Sequence, residues 1–163
     1  MKKTISLLKN IIKSSNNIAI IGHNEPDTDA LASMLILKRV IESCFYKVNL
    51  KVDMFAENYN DCELYEPITK NEKINRNIQN NYDLVLCVDS PCVKRLGVYA
   101  KLFNNAKTTI SIDHHEDSEQ YANYNYIYKC SSTCEVLFVI FKSLNIELSC
   151  EILKLIYAGI ITE

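Results

Sequence analysis

Residues 18–30 read IAIIGHNEPDTDA, passing from a short apolar, β-branched run straight into a polar loop rich in acids. A run like IAIIG (18–22), apolar without alternation, is the pattern of a strand buried on both faces of a parallel sheet. Pro26 restrains the loop after it, and from Asp29 to about Cys44 the apolar spacing becomes helical. A buried strand, a tight loop and a helix form the first half of a βαβ unit. The fold of the whole chain grows from that unit.

Working outward, Ile5, Leu8, Ile11 and Ile12 mark an amphipathic helix over residues 4–13. Downstream, VNLKVDMFA (48–56), DLVLCVD (83–89) and TTISID (108–113) read as three further strands. A helix is expected over residues 92–104, and another from Ser132 to about Asn145, with Ser131 or Ser132 at its cap. Ser149 caps a last helix running to about Ala158. Residues between the second and third strands are polar and poorly patterned. Strands alternating with helices imply an α/β fold: a mostly parallel, doubly wound, Rossmann-like sheet covered by helices on both faces. No repeat, low-complexity linker or composition shift divides the 163 residues, so a single domain over 1–163 is expected.

Composition narrows the function classes. A net charge of −2 gives no sign of a broad basic surface for duplex nucleic acid, so any nucleic-acid contact would have to be local. The seven cysteines (Cys44, Cys62, Cys87, Cys92, Cys130, Cys134, Cys150) are odd in number and contain no CxxC pair, which points to thiols in a reducing, cytoplasmic setting. No stretch reaches the roughly 20 apolar residues of a membrane span, and the N-terminal apolar run is cut by Lys9, Asn10 and Lys13.

In a doubly wound sheet, ligands bind beyond the carboxyl ends of the strands, at the point where strand order reverses. His23, Asp27 and Asp29 come after the first expected strand, Asp89 closes the third, and Asp113, His114 and His115 close the fourth. Taken singly each has a plain alternative: Asp27 or Asp29 as a helix cap, Asp89 as the start of a Ser-Pro turn, His114 as a strand-end histidine. Together they bring carboxylates and imidazoles to one sheet edge. On a regular helix Asp27 and Asp29 project about 200° apart, so they suit two neighbouring ions rather than one, with Asp89 placed to bridge. Mixed imidazole and carboxylate ligands suit Mn²⁺, with Mg²⁺, Fe²⁺ or Co²⁺ as competitors. A pair of ions about 3.5–4 Å apart serves in-line displacement at phosphorus.

These residues resemble the motifs of the DHH phosphoesterases. HNEPDTDALAS (23–33) is similar to that family's first motif, and Asp113-His114-His115 to its eponymous triplet. Val88-Asp89-Ser90 with Arg95-Leu96-Gly97, Ser131-Ser132-Thr133 with Glu135, and YAGIIT (157–162) come after the first motif in the family's order. The arrangement most resembles the RecJ-like bacterial nanoRNase type, which implies hydrolysis of short oligoribonucleotides and of 3′-phosphoadenosine 5′-phosphate (pAp). The resemblance implies one ion on His23, Asp27 and Asp89, and a second on Asp29, Asp89, His114 and an acidic residue after Thr162, here Glu163. It also implies that Asp113 orients the imidazoles, that His115 faces the phosphate or the leaving oxygen, and that Arg95 contacts phosphate. A homodimer is implied as well.

Two features depart from the pattern. Ala32 stands where the family has Gly, and Glu163 stands where it continues with Asp-Thr-Gly, a linker and a substrate-gripping second domain of DHHA1 type. Without that domain the chain is expected to bind metal but to be a weak or inactive hydrolase. The opening motif also resembles that of family II inorganic pyrophosphatases, although the helix at 4–13 speaks against them. The other alternative is a non-catalytic module binding metal or nucleotide.

Overall fold

A computed structural model describes residues 2–59, 72–78 and 81–163. Cys62 and most of the polar stretch before the third expected strand lie outside the described residues. Helix α1 (Lys2–Ser14) leads into β1 (Asn17–Ile21), followed by α2 (Thr28–Cys44), β2 (Lys51–Phe55) and β3 (Ile74–Asn75). Then come β4 (Leu84–Val88), a 3-10 helix (Val93–Tyr99), α3 (Ala100–Asn105), β5 (Thr108–Asp113) and β6 (Tyr124–Ile127). Helices α4 (Thr133–Ser143) and α5 (Cys150–Ile161) close the described chain.

The six strands form one sheet in the order β3-β2-β1-β4-β5-β6, and every pairing is parallel. The strand order reverses between β1 and β4, which puts the crevice beyond their carboxyl ends. The unbroken apolar runs are explained by burial on both faces. Ile18, Ile20, Leu84, Leu86, Ile110 and Ile112 point into a core shared with α1, α2, α4 and α5. Ala19, Ile21, Val85 and Cys87 point the other way, to Phe55, Tyr82, Leu96, Tyr99 and Leu102.

Three expectations are corrected. The strand read over 48–56 is confined to Lys51–Phe55, because Asn49 takes a left-handed φ of 73° in the preceding turn. The helix read over 92–104 is a 3-10 segment and then α3, broken at Gly97, where φ is 58° and ψ −137°. Two strands went unread. β3 has only two residues, and β6 alternates tyrosine with asparagine at the sheet edge, a pattern with little apolar weight.

At the edge opposite the crevice, Asp83 clamps the starts of three strands. Its carboxylate accepts from the backbone N–H groups of Asn16 and Asn17, both at 3.1 Å, and from Lys107 Nζ at 2.6 Å. The Lys107 ammonium first, then the Asn17 and Asn16 N–H groups, hold its acid down at about 2 from the ordinary 3.8. A carboxyl depressed in the folded state stabilises the fold above its unfolded value and loses that contribution as pH falls through the folded one. Asp83→Asn is therefore expected to cost on the order of 1 kcal/mol at pH 7, after allowing for the exposed Lys107. Melting curves of variant and parent should converge between about pH 4 and pH 2; a gap that persists at pH 2 would refute this.

Candidate metal centre

The sharp turn after β1 has two tasks, to end the strand and to present ligands. Gly22 N–H donates to Phe55 O at 3.0 Å, Asn24 N–H to Arg95 O at 2.7 Å, and Glu25 N–H to Glu57 O at 2.9 Å. The loop is thus fixed to β2 on one side and to the 3-10 helix on the other. Asp27 is the N-cap of α2, its Oδ1 accepting from Ala30 N–H at 3.0 Å. The cap reading and the ligand reading are compatible for this residue, because its Oδ2 lies 3.6 Å from His23 Nε2.

His23 is buried, and its Nδ1 lies 2.8 Å from Asn24 O, a group that only accepts. Nδ1 therefore carries the hydrogen and Nε2 presents its lone pair. That lone pair faces Asp27 Oδ2 and Asp89 Oδ2, each 3.6 Å away. His114 repeats the device: Nδ1 lies 3.4 Å from Cys130 O, while Nε2 is buried, has no hydrogen-bond partner among the described residues, and lies 3.5 Å from Asp89 Oδ1. Lone pairs converging on carboxylates are mutually repulsive unless a cation or a proton stands between them.

Asp89 sits at the centre. It is 1% exposed and adopts a left-handed φ of 53°, a strained conformation for a residue that is not glycine. Burial foremost, then the charges of Asp29 and Asp27, push its acid up to about 7, against the pull of Thr133 and His23. Burial likewise raises Asp29, despite its hydrogen bonds. Desolvation pulls the His23 imidazole down, but Asp27, Asn24 O and Asp89 together lift it above its ordinary value.

Three overlapping groupings of ligand atoms occur among the described residues: His23, Asp27 and Asp89; Asp29, His114 and Glu163; and Asp89, His114 and His115, which links the other two. Within each group the atoms lie within 4.8 Å of one another. The structure thus brings together all six residues read as ligands, and places Asp89 between the sets. The donor chemistry and the orphaned His114 Nε2 fit divalent cations.

The residues read as catalytic lie alongside. Asp113 is fully buried; its Oδ1 accepts from His114 N–H at 2.9 Å and from His115 Nδ1–H at 2.8 Å. His115 is part-exposed, and its Nδ1 is the ring atom committed to Asp113. Desolvation lowers its pKa but Asp113, then Asp89 and Asp117, raise it on balance. Arg95 is exposed on the 3-10 helix, with Nη2 3.3 Å from His23 Nδ1, which places a guanidinium at the rim of the first ligand set.

Sequence reading missed the groups that hold the second set. Asp29 Oδ2 accepts from Thr133 N–H at 2.7 Å and its Oδ1 from Cys134 N–H at 3.0 Å. Thr133 Oγ1 donates to Asp89 Oδ1 at 2.9 Å. The available signal was the SSTxE stretch. Ser132 caps α4 by accepting from Glu135 N–H at 3.1 Å, and Glu135 Oε2 accepts from Ser131 N–H at 2.7 Å. The pair resembles a capping box, with the return bond made to Ser131, one residue before the cap, and it fixes where the first turn of α4 begins.

An all-parallel α/β domain with a carboxylate–imidazole centre at its switch point is the class that fold and site define. The chain belongs to the DHH family: the model described as DHH family, N-terminal domain, matches residues 17–160. It is 30% identical over 151 residues to a protein of Streptococcus mutans described as a probable bifunctional oligoribonuclease and PAP phosphatase NrnA, covering 92% of this chain and 46% of the relative. An uncharacterized protein of Mycoplasma genitalium, MG371, is 27% identical over 154 residues, covering 93% of this chain and 46% of its own length. The chain thus spans about half the length of the curated relatives it matches. A crystal structure of an exopolyphosphatase-related protein from Bacteroides fragilis superposes with a TM-score of 0.76 at 21% identity, over 99% of this chain and 50% of that one. At that identity the likeness is one of fold. No described helix is long and apolar enough to cross a membrane.

Proposed function

We propose that the chain is the metal-binding domain of a cytoplasmic phosphoesterase that hydrolyses short oligoribonucleotides, pAp, or both, with two divalent cations, Mn²⁺ foremost. One observation carries the two-ion reading: Asp89 offers Oδ2 to His23, at 3.6 Å, and Oδ1 to His114, at 3.5 Å. A carboxylate divided in this way is placed to serve both ligand sets. His23, Asp27 and Asp89 would hold one ion, and Asp29, Asp89, His114 and Glu163 the other. Such ions would supply a water made nucleophilic at neutral pH and positive charge against the phosphoryl oxygens. The substrate reading rests on the Streptococcus mutans relative, whose description names both activities.

The protein's own groups do the rest. The Arg95 guanidinium neutralises a phosphate oxygen at the rim of the first set. Asp113 fixes the ring of His115 so that Nε2 faces the departing oxygen. Water gives up one proton to solvent as its oxygen forms the new P–O bond, the ester P–O bond breaks, and protonated His115 delivers the proton that the leaving oxygen requires. Substrate grip is assigned to a second domain, because the chain spans about half of its curated relatives.

The test is hydrolysis by the 163-residue chain of pAp, a diribonucleotide and inorganic pyrophosphate, with Mn²⁺ and with chelator. Slow, chelator-sensitive turnover of pAp or the dinucleotide, and none of pyrophosphate, is the expected result, since the groups assigned to substrate grip lie in the second domain. Turnover of pyrophosphate alone would favour a pyrophosphatase. Metal binding with no turnover of any of the three would leave a binding module.

A further inference from the structure

One five-residue segment touches ligands delivered from three different places in the sequence. Cys130 O accepts from His114 Nδ1–H at 3.4 Å, the N–H groups of Thr133 and Cys134 donate to Asp29, and Thr133 Oγ1 donates to Asp89. The first three contacts use backbone groups of the segment, which almost any residue supplies. The hydroxyl of Thr133 is specific to its side chain. The cap of α4 belongs to Ser132, so the helix start does not need the Thr133 side chain, and yet that side chain is fully buried.

We infer that Thr133 is a positioning residue which, through its hydroxyl bond to Asp89 Oδ1, sets the rotation of that carboxylate so that it bridges the two ligand sets. The inference rests on the two-ion reading of the proposed function. A carboxylate at a strand end turns easily about its terminal torsion, which has broad minima. Left to itself, Asp89 could turn both oxygens toward the ligand set of His23 and away from His114. Thr133 carries a single hydroxyl hydrogen, and a carboxylate oxygen only accepts, so the bond runs in one direction and holds one oxygen on the side of His114. Capturing Oδ1 there leaves Oδ2 to His23. Asp29, anchored by the adjacent N–H groups, is brought to the same side by the same turn. The Ser132 cap and the Glu135 bonds to Ser131 keep that turn in register, which gives the SSTxE stretch a purpose at the metal centre rather than only at a helix end.

The measurement is Mn²⁺ binding and spin coupling, which do not depend on turnover. Wild type, Thr133→Val, Thr133→Ala and Thr133→Ser chains are titrated with Mn²⁺ by calorimetry, and the loaded proteins are studied by electron paramagnetic resonance. Wild type is expected to take two ions with the multiline signature of a coupled pair. T133V should keep the first ion within about threefold of its wild-type affinity, weaken the second by about 10–100-fold, and lose the coupled signal. T133S, which restores the hydroxyl, should recover both. A T133V chain with two tightly held, coupled ions would overturn the inference and leave the two-ion reading intact. A wild-type chain that takes only one ion would overturn the reading itself and the inference with it. Should Val disturb packing, T133A provides the same comparison; collapse of both variants in thermal melts, with T133S folded, would make Thr133 a packing residue and likewise overturn the inference.

Discussion

Asp89→Asn is expected to give a folded chain that melts higher than wild type without metal and no longer responds to Mn²⁺. The two halves of this result have one cause. Asp89 is buried beside Asp27 and Asp29, and its acid is raised from 3.8 to about 7. A carboxyl raised in the folded state favours folding in its protonated form, so its contribution is greatest at low pH and fades as pH rises through the folded value. Above pH 7 the metal-free chain carries a buried charge at a cost of about 2–4 kcal/mol. Asparagine has the same shape, tolerates the left-handed φ of 53° better than most residues, and still accepts from Thr133 Oγ1. It should therefore relieve the cost without opening a cavity. Asparagine lacks the charge that, on the proposed reading, would hold the cations. If the ions supply about 4 kcal/mol of transition-state stabilisation, their loss lowers phosphoester hydrolysis by about a thousandfold. Thermal melts at pH 6 and pH 8, with and without Mn²⁺, separate the outcomes. The wild-type rise on adding Mn²⁺ should be larger at pH 8, and D89N should show none at either pH. A D89N chain that melts lower than wild type in chelator would contradict the buried-charge account.

Much of the fold and most of the candidate ligands were legible in the sequence because they depend on local patterns. IAIIG and DLVLCV announce strands covered on both sides, and the sheet does bury both faces of them. A parallel sheet delivers the loops at the carboxyl ends of its strands to one edge, so the sequence alone groups His23, Asp27, Asp29, Asp89 and His114. The roles of Asp27 were harder, because a cap and a ligand make the same demand on the sequence; here one oxygen caps and the other faces His23. Long-range support was not legible. Thr133 and Cys134 lie 104 and 105 positions from Asp29, and no periodicity links them. Their contact is decided by how α4 packs over the sheet. β6 was unread for a related reason: as an edge strand its tyrosines are only half-committed to the core, Tyr126 buried and Tyr124 part-exposed.

Gly159→Ala is expected to destabilise the fold and weaken the second ion together, although alanine is the better helix former. A methyl at this point of α5 would press on Cys134 Sγ and stand 2.6 Å from Asp29 Oδ1 and 2.9 Å from Cys134 Cβ. Neither neighbour is the free end of a flexible side chain. Asp29 is held by two N–H groups at 2.7 and 3.0 Å, and Cys134 is part of the helix that supplies them. The helix α5 must then move away from α2 and α4, and its buried face of Ile152, Leu155 and Ile156 moves with it. Overpacking of this kind costs about 1–3 kcal/mol, against a gain of at most about 1 kcal/mol in helix propensity. A net loss of about 1–2 kcal/mol should appear in denaturant melts. Asp29 belongs to the second ligand set and not the first, so Mn²⁺ titration should show the second ion weakened more than the first. A double variant, G159A with Cys134→Ala, removes the thiol that the methyl meets and should recover part of both losses, a non-additivity expected only of residues in contact. Full additivity would mean that the space around Gly159 is not the reason a side chain is excluded there. Equal weakening of both ions would mean that α5 supports the whole centre rather than the half that Asp29 serves.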